Sequence, residues 1–106
     1  MKQGIFQEHW SDDQGRPAGG VSSGRGLAIS WQNGPLGRGD ERREPNGAFV
    51  EDVIDAVIGR IEFYEASEFA CSENQEALEH LRAVARALDR RTKEREARRV
   101  EGLHEK

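Results

Sequence analysis

Eight apolar residues recur at helical spacing in one short stretch: Phe49, Val50, Val53, Ile54, Val57, Ile58, Ile61 and Tyr64. At 100° per residue they cover nearly half of a helix circumference, whereas one partner helix needs a stripe only slightly wider than about 100°. A first helix from Asn46 to about Ser67 must therefore be covered on two sides. Asn46 suits its N-cap, because its side chain accepts from the amides of a first turn. A second periodic run follows a short break, with Ala77, Leu78, Leu81, Val84, Ala85 and Leu88 as its seam. Ser72 and Gln75 stand at the spacing of a capping box, and Gly102 is a natural stop. A connection this short makes the two helices antiparallel neighbours. Residues 46–106 thus read as a long two-helix hairpin.

The composition changes ahead of the hairpin. Ten of the 12 glycines and all three prolines lie at or before Gly47, so residues 1–45 are turns and short strands. Leu27, Ile29 and Trp31 alternate with Ala28, Ser30 and Gln32, the period of a half-buried strand. Asn33-Gly34-Pro35 ends it. A less regular strand runs from Ile5 to Trp10, and Asp12 to Gly26 joins the two as a loop. The expected fold class is α+β: a short N-terminal antiparallel β-ribbon with Gly/Pro-rich loops, then the hairpin, in a single domain that oligomerises. A two-stranded ribbon is marginal alone and must lie on something.

With 106 residues, only about two-thirds of the unfolded surface is buried on folding. Charged residues make up 34% and hydrophobic ones 35%, a thin core that favours completion against a second copy. The net charge of −4 gives no global attraction to a nucleic-acid polymer or an anionic membrane. One cysteine, Cys71, excludes an internal disulfide and fits a reducing compartment. Ile5-Phe6 is too short for a signal peptide, and no run reaches the roughly 20 apolar residues that span a bilayer. The expected location is the cytoplasm.

Half of the 16 Lys and Arg residues fall between Arg82 and Arg99. On the second helix Thr92, Arg95 and Arg99 continue the stripe that leucines occupied, with Arg91 and Arg98 on its flank. The start of the first helix should lie beside them, so the open end of the hairpin gathers Asn46, Gly47 and Phe49 with Arg91, Thr92 and Arg95. Helix N-terminal amides suit phosphate. Arginine adds a bidentate fork for phosphate oxygens and a plane that stacks on a base, and Phe49 or Trp31 offers a second stacking surface. The plain alternative is that these arginines complement the helix dipole and pair with Glu94, Glu96 and Glu101. Arg95, on the seam, needs an anion or a partner chain.

Other signals are structural. Gly34-Pro35-Leu36-Gly37-Arg38-Gly39 lacks the Gly-Lys-Ser/Thr ending of a phosphate-binding loop and reads as a turn. His9, His80 and His104 have no partners at metal-ligand spacing. Cys71 has no base beside it. Glu51, Asp52, Asp55 and Glu62 form a solvated helix face. No nucleophile, base and orienting group fall together, so neither catalysis nor a cofactor is expected.

Trp31-Gln32-Asn33-Gly34-Pro35, the run from Pro45 to Ile54, Glu73-Asn74, Arg91-Thr92, Arg95 and Val100-Glu101-Gly102 together resemble the hairpin shared by two groups of phage inhibitors. These are the Thoeris anti-defence proteins and the anti-CBASS nucleotide sponges. The resemblance spans roughly residues 27–104, and the ribbon makes the Thoeris type the closer parallel. It departs at Leu103, where the family pattern Val-Glu-Gly-Thr-His has Thr. The resemblance implies a protein that binds a cyclic nucleotide signal, a cyclic ADP-ribose isomer or a cyclic oligonucleotide, without cleaving it. It implies a homo-oligomer, from a dimer up to a hexamer, with sites between subunits, acting in the host cytoplasm if phage-encoded. It carries ligand contacts to Asn46, Gly47, Arg91, Thr92 and Arg95. Two competing readings are an oligomeric phage structural or assembly protein with no small ligand, and a nucleic-acid-binding regulator, which the net acidity disfavours.

Overall fold

The computed structural model describes residues 4–37 and 39–98. It contains three strands, β1 (Phe6–Ser11), β2 (Pro17–Gly24) and β3 (Leu27–Trp31), a 3-10 turn at Gly39–Glu41, and two helices, α1 (Val50–Glu65) and α2 (Ser72–Ala97). The fold is α+β. The chain divides into two compact units: residues up to Phe49 together with Arg98 onward, and Val50–Ala97. Among the described residues no helix is long and apolar enough to cross a membrane.

The sheet is antiparallel with order β1-β2-β3, and this corrects the expected two-stranded ribbon. Asp12 to Gly26 is not a loop; it contains the central strand. Its composition, Pro-Ala-Gly-Gly-Val-Ser-Ser-Gly, looks like a turn because close neighbours leave no room for larger side chains. A Cβ on Gly19 would lie 3.0 Å from Asn33 Cβ and 3.2 Å from the Trp10 ring, and one on Gly20 would run into the Glu8 carbonyl. The turn before β2 is closed by Asp12, whose carboxylate accepts from the amides of Gln14 (2.9 Å) and Arg16 (3.0 Å) and from Arg16 Nε (3.1 Å). Those bonds, the Arg16 amide first, hold the Asp12 pKa below its ordinary value. Ser22 is buried and links all three strands: its hydroxyl donates to Gln7 Oε1 (2.7 Å) and accepts from Trp31 Nε1 (2.9 Å).

The hairpin is antiparallel, because ascending positions on α1 meet descending ones on α2. Glu62 pairs with Arg82 at 2.8 Å, and Glu65 reaches Asn74 at 3.1 Å. Four apolar or aliphatic positions of α1 turn toward α2: Ile54, Ile58, Ile61 and the stem of Glu65, all half-buried. Leu78 of α2 is buried at 2% exposure, yet α1 has no buried residue at all. Val50, Val57, Phe63, Tyr64, Phe69 and Val84 are exposed.

The start of α1 and the cap of α2 differ from expectation, whereas α2 begins at Ser72 as expected. α1 begins at Val50, four residues after Asn46, because residues 46–48 are extended: Ala48 forms a parallel bridge with Trp31. α2 is not opened by a Ser72–Gln75 capping box. The Ser72 hydroxyl donates to Glu73 (3.3 Å), and Glu65 does the capping from the other helix. Its carboxylate accepts from the Cys71 amide (2.9 Å), from Asn74 Nδ2 and from Gln75 Nε2. The expected stop at Gly102 lies outside the described residues.

Candidate functional site

The residues nominated from sequence fall into two groups, one in each unit. In the sheet unit they meet where β3 ends. The Asn46 side chain receives the Asn33 amide on Oδ1 (2.8 Å) and donates from Nδ2 to the Asn33 carbonyl (3.0 Å), a two-bond match to one backbone residue. The Asn46 amide donates to Gln32 Oε1 (2.9 Å), and Gln32 Nε2 donates to the Gly34 carbonyl (3.2 Å). Next along the chain, the Ala48 amide donates to Ser30 O (2.7 Å) and the Gln32 amide to Ala48 O (3.0 Å).

This clamp explains why Gly47 stands where it does. A Cβ there would approach Trp31 C, Gln32 N and Ser30 O to 2.6–2.7 Å, so only glycine lets the segment lie against β3. It also redefines Asn46. The side chain is a strand clamp instead of a helix cap, and the amide of Ala48 is spent on Ser30. Trp31, half-buried, has its indole N–H tied to Ser22, which fixes the ring plane. Phe49, half-buried, is the last residue before α1.

In the hairpin unit the remaining three residues lie on α2. Arg91 is exposed, while Thr92 and Arg95 are half-buried, and Arg95 Nε is shut off from water. Thr92 and Arg91 do not share a face, since adjacent helix residues diverge by about 100°. Thr92 lines an open groove of about 410 Å³ with Glu51, Asp55, Ala85 and Asp89. Three carboxylates make that groove hostile to a phosphate, and Lys93 offsets only Asp89 (3.1 Å). Glu51 and Asp52 occupy the first turn of α1, where they complement the helix dipole and reduce its pull on a second anion. Of the three α2 residues, Arg91 and Arg95 carry the positive charge. Arg99 and Leu103 lie outside the described residues, as do Val100-Glu101-Gly102 and His104.

Sequence reasoning missed Gln32 and Asn33 as the partners that fix Asn46, and Glu65 as the hairpin's clasp. No local signal marked them, since each bond joins residues in different elements, six to fourteen positions apart.

No family model matches the chain. A protein of Bacillus phage SBSphiJ7 called Thoeris anti-defense 1 is 39% identical over 84 residues, which are 79% of this chain and 56% of that protein. The chain thus spans little more than half the length of the relative it matches.

Proposed function

Because the chain belongs to the Thoeris anti-defence type, we propose that it is a phage-type immune-evasion protein that captures a cyclic nucleotide signal and leaves it intact. The ligand class is a cyclic ADP-ribose isomer or a cyclic oligonucleotide. The observation that carries this reading is the match to a Thoeris anti-defense 1 protein over 84 residues, which spans most of both units.

The nominated side chains suit binding without chemistry. Arg91 and Arg95 offer charge-assisted hydrogen bonds to phosphate oxygens. Trp31, pinned through its indole N–H to Ser22 (2.9 Å), offers a base a plane that loses little freedom on stacking, and Phe49 offers another. The sheet clamp at Asn46 and Gly47 serves by holding Trp31 and the approach to α1 in place. Capture requires a low free-ligand concentration and slow release, and neither needs an acid–base pair. The assembly expected with it is a homo-oligomer of this chain.

A second reading, an oligomeric phage structural protein with no small ligand, draws on the exposed apolar residues of α1, which oligomerisation alone accounts for. Calorimetry separates the two. Arg91→Ala or Arg95→Ala should weaken cyclic nucleotide binding by about 10- to 150-fold, the equivalent of about 1.5–3 kcal/mol. Thermal stability should be unchanged for the exposed Arg91. Parent-like affinity in both variants contradicts the assigned phosphate contacts, and no binding of any cyclic nucleotide by the parent favours the structural protein.

A further inference from the structure

Two of the three asparagines in the chain, Asn33 and Asn46, are followed by glycine. An asparagine before glycine is where a polypeptide most readily loses ammonia unaided, because no side chain screens the next amide from the carboxamide. The two steps face each other across the clamp at the end of β3. Both asparagines are exposed, so water reaches both, and it is the surroundings of each carboxamide that separate them. The Asn46 carboxamide is bonded at both ends, Oδ1 to the Asn33 amide (2.8 Å) and Nδ2 to the Asn33 carbonyl (3.0 Å). Its backbone is held as well, with the Asn46 amide donating to Gln32 Oε1 and the Ala48 amide to Ser30 O. Gly47, between those two amides, lies against the backbone of Trp31 and Gln32.

Asn33 has the opposite surroundings. Among the described residues its carboxamide makes no hydrogen bond. Gly34, at a φ of 82°, has nothing within 4 Å of the position a Cβ would take. The Asn33 side chain therefore turns toward the Gly34 nitrogen without breaking a bond. Gly19 leaves room for that turn, since Asn33 Cβ and Cγ lie 3.0 and 3.3 Å from where its own Cβ would stand. The clamp also primes the step. Asn46 Nδ2 donates to the carbonyl of the Asn33–Gly34 peptide, which draws charge off that amide and makes the Gly34 N–H easier to deprotonate. One hydrogen bond thus locks Asn46 and activates Asn33.

We propose that Asn33 is a self-modifying position, which the fold steers to isoaspartate while the clamp protects Asn46. The Gly34 nitrogen, its proton passed to solvent, bonds to Asn33 Cγ; the Cγ–Nδ2 bond breaks and ammonia leaves with a proton, closing a cyclic imide. Water then adds at the α-carbonyl, the one that Asn46 Nδ2 polarises. The bond from that carbonyl to nitrogen breaks, and the chain continues through Cγ. The net change turns a carboxamide and a water into a carboxylate and ammonia. The residue 33 amide and the new α-carboxylate stay on the same Cα, so the Asn46 side chain keeps both partners and conversion stops at one site. The test holds the full chain in mildly alkaline buffer and then cuts it after arginine, since Arg38 and Arg43 separate the two asparagines. By mass spectrometry the fragment with Asn33 should convert about tenfold faster than that with Asn46, and mainly to isoaspartate. Tenfold is about 1.4 kcal/mol, within what two hydrogen bonds hold. The chain unfolded in urea, where both steps convert, sets the time scale, and Asn33→Gln should stop the change in its fragment. Equal rates at the two steps in the folded protein, a faster Asn46, a product that is mainly aspartate, or no conversion at Asn33 while the unfolded chain converts overturns the proposal. No readout involves a nucleotide, so the outcome is independent of the ligand reading above.

Discussion

Two glycines show how differently one residue type acts in this chain. Gly47 lies flat against β3, with backbone atoms 2.6–2.7 Å from where a Cβ would stand. Gly59 sits in the interior of α1 with nothing within 4 Å of that position. Gly47→Ala should therefore cost about 1–3 kcal/mol, as overpacking against backbone does. Gly59→Ala should gain about 1 kcal/mol from helix propensity. Denaturant unfolding of both variants checks the pair, and equal effects would show that the Asn46–Ala48 segment does not lie along β3. The role of Gly47 was not readable in advance. The clamp at Gly47 depends on a contact with Trp31, sixteen residues away, and a helical pattern alone makes Asn46 look like a cap.

At the scale of elements, the hairpin is closed by one carboxylate. Glu65 accepts from the Cys71 amide, Asn74 and Gln75, and these bonds, the Cys71 amide first, lower its pKa below the ordinary 4.5. A group whose pKa is depressed by folding stabilises the fold above its unfolded pKa and loses that contribution as pH falls through the folded value. Hairpin stability should therefore decline below about pH 4.5, and the decline should be shallower in Glu65→Gln, which also starts from a lower melting temperature. An unchanged acid limb in that variant would contradict the clasp. The helices themselves were legible, because apolar spacing and a short connection leave one arrangement. Strand β2 was not. Its small residues answer to the neighbours on both sides, which a composition reading mistakes for loop. Ser72 failed as a cap for a similar reason, since Glu65 competes from another helix for the same end.

For the whole molecule, the hairpin of Val50–Ala97 and the sheet unit each carry part of the nominated chemistry, arginines on one and ring planes on the other. Within the hairpin, charge separates the candidates. Thr92 faces Glu51, Asp55 and Asp89, whereas Arg91 is free of that groove. The sequence pattern revealed the arginines as a break in the leucine stripe, but it did not reveal the acidic face beside them, which exists only once α1 and α2 are packed. The exposed apolar residues of α1 were foreseeable, because the apolar arc exceeds what one helix can cover. The central claim is capture without cleavage. Its most direct measurement is to incubate the protein with a panel of cyclic ADP-ribose isomers and cyclic di- and trinucleotides, remove free ligand, heat the complex, and weigh what is released by mass spectrometry. The account predicts that at least one cyclic nucleotide comes back at its original mass; release of a linear product, or of nothing from any member of the panel, would contradict it.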